Sequence, residues 1–518
     1  MSLLRAITTV GGFTMLSRIF GFVRDILVAA LLGAGPLADA FFVAFKLPNL
    51  FRRLFAEGAF NAAFVPQFAG LLEDDGRARA QVFAEQALAI LLWSLLVFTM
   101  LVEIAMPVIL LGFAPGFADD PEQFNRTVDL TRLTFPYLLF ISLVSLMAGV
   151  LNSLGKFAAA AATPILLNIC LIGAILWLTP FVPSPAHALA WGVCGAGAVQ
   201  FVWLLVHCVR AGVPLRLRLP KLTDDVKTML KRIAPVAIGA GVYQISLLID
   251  TVIASLLPSG SISYLFYADR VNQLPMGVVG VAVGTALLPL LSRQVRAGDE
   301  AGADNSMNRA LEFSLFLGVP AATALIVLAQ PIIAVLFQRG EFGPDQAVAT
   351  AGALAIYAAG IPAYVMVKGL SAGFFAREDT ATPVKVGLVA VAVNLVLNLI
   401  LMKPFLHLGI AAATAAAAWL NVILLAVILY RRGHFRPDER LMSRLKRILL
   451  ASVIMAAALI YGIRPLGEIL SGDELTRAGG LAVLVVLGLV VYGLLALVLR
   501  TVSPNHIRRL MTRRAADT

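Results

Sequence analysis

Residues 17–53 read SRIFGFVRDILVAALLGAGPLADAFFVAFKLPNLFRR, two apolar segments that nevertheless carry Arg18, Arg24, Asp25, Asp39, Lys46, Arg52 and Arg53. The apolar residues are dense enough for a bilayer, and the charges are not scattered among them. Ser17 and Arg24, Arg18 and Asp25, and the series Asp39, Lys46 and Arg53 are each spaced by seven, two helical turns, so each set shares a helix face. Asn49 and Arg52 lie beside the last stripe, Gly21 permits bending or close packing in the first segment, and Pro48 removes a backbone donor in the second. A charge at the centre of a membrane helix costs roughly 2.5–3.5 kcal/mol on insertion scales, so such residues face a wet cavity or a partner. The pattern predicts two membrane helices with a polar side turned inward.

The rest of the 518 residues agree. Hydrophobic residues make up 60% and charged ones 14%, against roughly 25% charged in soluble domains, which excludes an ordinary soluble enzyme. Apolar runs able to cross a ~30 Å hydrocarbon layer begin near residues 7, 37, 80, 127, 159, 186, 226, 261, 306, 346, 381, 408, 443 and 476, giving fourteen expected spans. The net charge of +11 collects in connections: residues 210–232 and 431–447 each hold seven Lys or Arg, while 180–187 and 258–262 hold none. The positive-inside rule places both basic connections, and both termini, in the cytoplasm. The surplus is therefore a topology signal, and no nucleic-acid partner is expected. Arg18, Arg24 and Asp25 interrupt the first apolar stretch, so it is not expected to be cleaved as a signal peptide.

A shift of 225 residues pairs Asp25 with Asp250, Leu32 with Leu257, Gly35 with Gly260, Phe41 with Phe266 and Phe42 with Tyr267, and a shift of 226 pairs Pro136 with Pro362. An even number of spans separates the matched segments, so the halves share one orientation, as in transporters built from parallel repeats. The expected architecture is an all-α polytopic membrane protein: one lobe over 1–220, a second over 221–435, both around a central cavity, and a C-terminal pair of helices over 436–518. In the second lobe Ser263, Tyr267, Arg270 and Gln273 fall on one helix face, beside Asp269 and before Pro275. Both lobes thus supply arginine. Its planar fork makes bidentate bonds to tetrahedral oxyanions, which points to an anionic, phosphate-bearing substrate; the bland alternative is that Lys46, Arg52 and Arg53 snorkel to an interface while Asp25 neutralises Arg18 or Arg24.

Other features carry less. Gly280 and Gly284 read as close helix packing. Cys170, Cys194 and Cys208 show no ligand spacing, and His187, His207, His407, His434 and His506 show no metal or triad pattern. There is no GxxxxGK[ST] loop. A membrane enzyme transferring glycans from a lipid carrier would need a substantial outer loop for its acid, base or metal ligands, and the longest outer connections, near 114–129 and 464–477, are short.

Residues 17–66 (SRIFGFVRDILVAALLGAGPLADAFFVAFKLPNLFRRLFAEGAFNAAFVP) closely resemble the MurJ (MviN) family of lipid II flippases, of the multidrug/oligosaccharidyl-lipid/polysaccharide exporter superfamily. APGF at 114–117, TFPYLL from Thr134, YADR at 267–270 and TP at 382–383 extend the likeness along the chain. It implies a transporter, not an enzyme, in the bacterial cytoplasmic (inner) membrane, moving lipid II, an undecaprenyl-pyrophosphate bearing a disaccharide-pentapeptide, outward by alternating access. The resemblance assigns central-cavity roles to Arg18, Arg24, Arg270, Asp39 and Arg52, with Ser17, Asp25, Asn49, Ser263 and Gln273 lining the same space. Gln273 stands where family members often have an acid. It further implies a sodium site at Asp250, Asn394, Asn398 and Thr414, with Asn398 replacing an expected carboxylate. Sodium or the membrane potential would drive transport, membrane lipids and the cell-wall synthesis machinery would be the further partners, and the C-terminal pair would help hold the lipid tail. The alternative within the superfamily is export of drugs or of another polysaccharide lipid.

Overall fold

The computed structural model describes residues 3–53 and 60–501, and among them every regular element is helical. Side-chain surroundings are described outside 3–7, 234–247 and 278–286. Gly280, Gly284 and His506 therefore lie outside what is described, as do residues 54–59 of the family-like run. The chain divides into two compact units, residues 1–263 with 339–342, and residues 264–338 with 343–518.

The first unit contains α1 (Leu3–Leu32), α2 (Pro36–Phe51), α3 (Asn61–Asp74), α4 (Gly76–Phe113), α5 (Pro121–Thr134), α6 (Tyr137–Ser153), α7 (Phe157–Gly173), α8 (Pro185–Arg210) and α9 (Asp224–Ser255). α10 (Ser261–Arg296) starts at its edge and leads into the second unit, with α11 (Glu300–Val327), α12 (Ala329–Phe337), α13 (Pro344–Ala358), α14 (Ile361–Phe375), α15 (Ala381–Arg431), α16 (Glu439–Ile463), α17 (Gly467–Ser471) and α18 (Glu474–Val498). All fourteen expected starts fall inside helices. Nine helical stretches among the described residues are long and apolar enough to cross a membrane. One of them, α15, has 51 residues and non-helical dihedrals at Leu406 (φ 50°, ψ −133°), beside the expected start at 408. At ~1.5 Å per residue it has length for two crossings. α2, of 16 residues, continues helically through Arg52 and Arg53 to the residues that are not described.

The two prolines paired in the sequence both stand at helix breaks. In the first unit the stretch from α5 to α6 turns at Phe135 and Pro136; in the second, α13 and α14 part at Ala359 and Gly360, with Pro362 in the first turn of α14. Gly35 and Gly260, paired in the sequence, each stand immediately before a helix, α2 and α10, the first extended and the second left-handed (φ 93°).

Packing is aromatic in the first unit, where Phe60, Phe64, Phe68 and Phe83 stack in series. In the second, Met307 and Leu311 of α11, Leu370 and Phe374 of α14, Leu425 and Leu429 of α15 and Ile448 of α16 share one core. The C-terminal helices join this unit: Met455 and Leu459 of α16 pack with Leu484 of α18 and with Leu328, and Tyr492 donates to the Phe316 carbonyl at 2.7 Å.

Two buried glutamates fix the basic connections. Glu85 of α4 accepts from the Arg216 backbone N–H (3.1 Å) and from the Arg218 guanidinium, and its neighbour Gln86 accepts from the Lys221 N–H (3.1 Å). The segment 211–223 is thereby strapped along α4. Glu312 of α11 gathers Arg309, Arg440 and Arg444, and Arg309 also reaches Asp438, which ties the start of α16 to α11.

Candidate functional site

α1 brings Arg24 and Asp25 into the interior of the first unit, where they are 8% and 4% exposed. A buried guanidinium is tolerable only when its fork is filled. Arg24 donates through Nε (3.0 Å) and Nη2 (2.6 Å) to Asp25 Oδ1 and through Nη1 (2.9 Å) to Asn168 Oδ1. Asn168, on α7, also donates to the Ser17 carbonyl at 3.0 Å, beside Gly21, where a Cβ would make only an ordinary contact, 3.5 Å from the Asn168 amide. Sequence reasoning missed Asn168. Its only signal was a lone asparagine inside an apolar run 144 residues from Arg24. Arg18 is exposed and Ser17 half-buried on the same helix.

On α2, Asp39 is 2% exposed and accepts three hydrogen bonds, from the Gly260 N–H (2.6 Å), the Ser263 N–H (2.8 Å) and the Ser263 hydroxyl (2.5 Å). Gly260 directly precedes α10 and Ser263 is its third residue. The carboxylate is thus an N-cap supplied from another helix, meeting orphan N–H groups and the positive end of the helix dipole. Lys46, one step down the stripe, donates to Thr251 of α9, so it is turned to the interior. Arg52 donates to Asn49 Oδ1 (3.1 Å), and Asn49 returns an N–H to the Phe45 carbonyl (2.8 Å). Arg53 is exposed.

In the second unit the face read from the sequence grades from buried to open. Tyr267 is fully buried against Phe337, Arg270 is half-buried with its guanidinium 4.8 Å from the Phe266 ring centre, and exposed Gln273 donates to Asp269 at 2.5 Å. An arginine over an aromatic face is a cation–π arrangement.

The residues assigned to sodium are divided. Asp250 belongs to the first unit and is half-buried. Asn394 and Asn398, both buried, and Thr414 belong to the second and form a chain: Asn398 Nδ2 donates to Asn394 Oδ1 (3.1 Å), and Asn394 Nδ2 to Thr414 Oγ1 (3.4 Å). These are the neutral oxygen donors that a hard cation takes.

Two motifs acquire reasons. Gly116, in APGF, lies so near α9 that a Cβ would fall 2.1 Å from the Ser255 carbonyl oxygen. Thr382, in TP, donates its backbone N–H (2.9 Å) and hydroxyl (2.6 Å) to Asp379, which also receives Arg432 (2.6 Å).

Residues 28–469 match the family described as Lipid II flippase MurJ. The chain is 46% identical over 522 residues to a protein named probable lipid II flippase MurJ from Rhizobium meliloti (strain 1021), covering 100% of this chain and 97% of that one. A solved structure titled "Lipid II flippase MurJ, inward closed conformation" superposes with TM-score 0.79 at 25% identity, over 95% of this chain and 98% of the other. An inward-facing multidrug resistance MATE family transporter of the MOP superfamily gives 0.64 at 14% identity, covering 85% and 99%; at that identity the likeness is of fold alone.

Proposed function

Because this chain belongs to the lipid II flippase MurJ family, we propose that it carries lipid II from the inner to the outer leaflet of the bacterial cytoplasmic membrane by alternating access. It is a transporter and not an enzyme, and no bond is made or broken.

The observation that carries the binding step is the filled fork of Arg24. Its guanidinium is held by one carboxylate oxygen and one neutral amide, a set that a pyrophosphate can replace with stronger charged acceptors. Asp25 and Asn168 keep the arginine charged and oriented until the anion arrives. Arg18 of the first unit, six residues earlier on α1, and Arg270 of the second, seated on Phe266, are the further cations assigned to the pyrophosphate. Arg52, steadied by Asn49, would attract the headgroup. Asp39 and Ser263 serve by fixing the start of α10, the helix that carries Arg270.

The exposed apolar side chains of α16 and α18, among them Val453, Val483 and Leu489, suit the lipid tail. Asp250, Asn394, Asn398 and Thr414 are the residues that would hold sodium; a bound cation would supply gradient energy, and the membrane potential adds about 2.3 kcal/mol per charge per 100 mV. Both termini lie in the cytoplasm in this reading, and the cell-wall synthesis machinery takes the delivered lipid. Export of drugs is the competing reading on fold, but the arginines assigned to the substrate suit an anion.

Depletion of the chain in its native bacterium should accumulate lipid II on the cytoplasmic face. Wild-type protein should relieve this, and Arg24→Ala should not although it reaches the membrane. Full relief by Arg24→Ala would overturn the arginine assignment; unchanged outward delivery on depletion would overturn the substrate.

A further inference from the structure

Residues 211–223 join α8 to α9 without forming a regular element, and three hydrogen bonds lay them on α4. Gln81 donates to the Pro214 carbonyl at 2.7 Å, and Glu85 and Gln86 accept from the Arg216 and Lys221 N–H groups, both at 3.1 Å. The side of α4 that they cover can be read from the helix itself. Gln86, Trp93, Val97, Met100 and Ile104 follow one another at intervals of seven, four, three and four, and so share one face. Trp93, Val97, Met100 and Ile104 are 48%, 53%, 58% and 76% exposed, the lipid-facing stripe of a helix long and apolar enough to cross a membrane. Gln86 is 6% exposed, and residues 83–89 are buried without a break. At Gln86 the stripe is therefore covered, and the bond to Lys221 puts the connecting segment over it. Residues 87–102 carry no charge, so the segment crosses α4 at the edge of the hydrocarbon layer.

Its side chains fit that place. Val213 and Leu215 are buried, at 1% and 8% exposed, whereas Leu217, Leu219 and Leu222 are 71%, 77% and 63% exposed. Arg216, Arg218 and Lys221, interleaved with these leucines, are exposed as well. Arg218 is committed to Glu85, while Arg216 and Lys221 bind α4 through backbone N–H groups. A singly exposed leucine needs no explanation; three within six residues, set among cations at the foot of a lipid-facing stripe, do.

We infer that residues 216–222 are a membrane-surface anchor: Leu217, Leu219 and Leu222 enter the bordering leaflet, and Arg216 and Lys221 take the phosphates of its anionic phospholipids. Apolar side chains at the acyl boundary with Lys and Arg among the headgroups is the arrangement of interfacial segments, and the long cationic side chains can lay their stems along the apolar layer while keeping their charge in the headgroups. Glu85 and Gln86 tie the anchor to α4, and Thr223, which ends it, caps α9 by accepting from the Val226 N–H at 3.4 Å. The charge of the leaflet thereby bears on both helices. The inference needs only that α4 spans a membrane and is independent of the cargo.

The test is fluorescence of the full-length chain in vesicles of equal parts phosphatidylglycerol and phosphatidylcholine. A nitrobenzoxadiazole label is placed on Leu219→Cys or, in a second variant, on Leu217→Cys, after Cys170→Ala, Cys194→Ala and Cys208→Ala remove the native thiols. Both positions are exposed, so if one labelled variant fails to fold the other still reports. Either label should lose intensity when the phospholipid acyl chains are brominated and should resist quenching by aqueous iodide. Bromine on phosphatidylglycerol should quench more than the same bromine on phosphatidylcholine. Arg216→Gln and Lys221→Gln, which leave the backbone bonds to α4 in place, should each reduce that preference about fivefold, the worth of one basic residue at an anionic surface. A label quenched by iodide and untouched by brominated lipid would overturn the inference, as would equal quenching by the two brominated lipids.

Discussion

Replacing Asp39 with alanine separates its two assigned roles, cap and cavity acid. The carboxylate takes three donors, two of them backbone N–H groups at the start of α10, and is 2% exposed. Loss of an N-cap costs about 0.5–2 kcal/mol, and each buried donor left without an acceptor costs about 1–3 kcal/mol. The Ser263 hydroxyl can rotate, but the Gly260 and Ser263 N–H groups cannot, so the cost for Asp39→Ala is about 3 kcal/mol. At about 2–4 °C per kcal/mol for large domains, the unfolding temperature should fall by about 6–12 °C. Asp39→Asn keeps one acceptor oxygen for Ser263 but turns an NH₂ toward the Gly260 N–H, and should lose about half as much. Thermal unfolding in detergent, followed with a thiol-reactive dye that reports the buried Cys208, measures both; transport is read from lipid II accumulation in the depleted strain. An Asp39→Ala protein that unfolds at the wild-type temperature yet fails to transport would refute the capping argument and restore a direct role in binding.

Gly116→Ala forces a methyl group into the Ser255–Leu256 backbone, with a contact of 2.1 Å that cannot be relieved by a rotamer; overpacking of this kind costs about 1–3 kcal/mol or more, and a lowered unfolding temperature is expected where a wild-type value would refute the contact. Glu312→Gln leaves Arg309, Arg440 and Arg444 facing one another. Removal of one partner from a buried pair costs about 3–5 kcal/mol, but Arg440 is more than half exposed and screening reduces the figure to about 2 kcal/mol; protease should then cut the connection before α16 sooner than in wild type. Asp379 titrates below the usual carboxylate range because it accepts first from the Thr382 hydroxyl and then from Arg432. A depressed folded value means that its stabilisation is present above the unfolded pKa of about 3.9 and is lost as pH falls through the folded one. The gap in unfolding temperature between wild type and Asp379→Asn, worth no more than about 1 kcal/mol for so exposed a group, should persist from pH 8 to about pH 5 and close at lower pH.

The apolar runs made the helices legible, because membrane insertion is decided by local composition: every expected start lies in a helix, and even the two starts at 381 and 408 bracket the break at Leu406 in what is otherwise one 51-residue element. Pro136 and Pro362, paired in the sequence, both stand at helix breaks. Partnerships were the least legible part. The seven-residue spacing placed Arg18 and Asp25 on one face, yet Asp25 takes its neighbour Arg24, whose long side chain bends across the helix surface. Asn168 and Ser263, which complete the two buried sites, sit 144 and 224 positions from the groups they bind.

A physical rule nevertheless joins the two kinds of charge. In the first unit, buried Arg24, Asp39 and Glu85 each hold together segments remote in sequence: α1 with α7, α2 with the start of α10, and α4 with the strapped segment. In the second, Glu312 does the same for α11 and α16. Leaving any of them unpaired in a low-dielectric interior would cost more than a helix contact returns, so their pairing is structural whatever else they do. Arg18 and Arg53 are exposed; their desolvation is small, and an incoming phosphate need not first break a buried carboxylate pair to reach them. Arg24 must exchange a buried internal partner for an external one. This predicts a different dependence for the two: Arg18→Ala should weaken lipid II transport with little change in unfolding temperature, whereas Arg24→Ala should lower both, since Asp25 and Asn168 lose their donor at the same time. Equal unfolding temperatures for the two variants would mean that the Arg24 fork contributes nothing to the packing of α1 against α7.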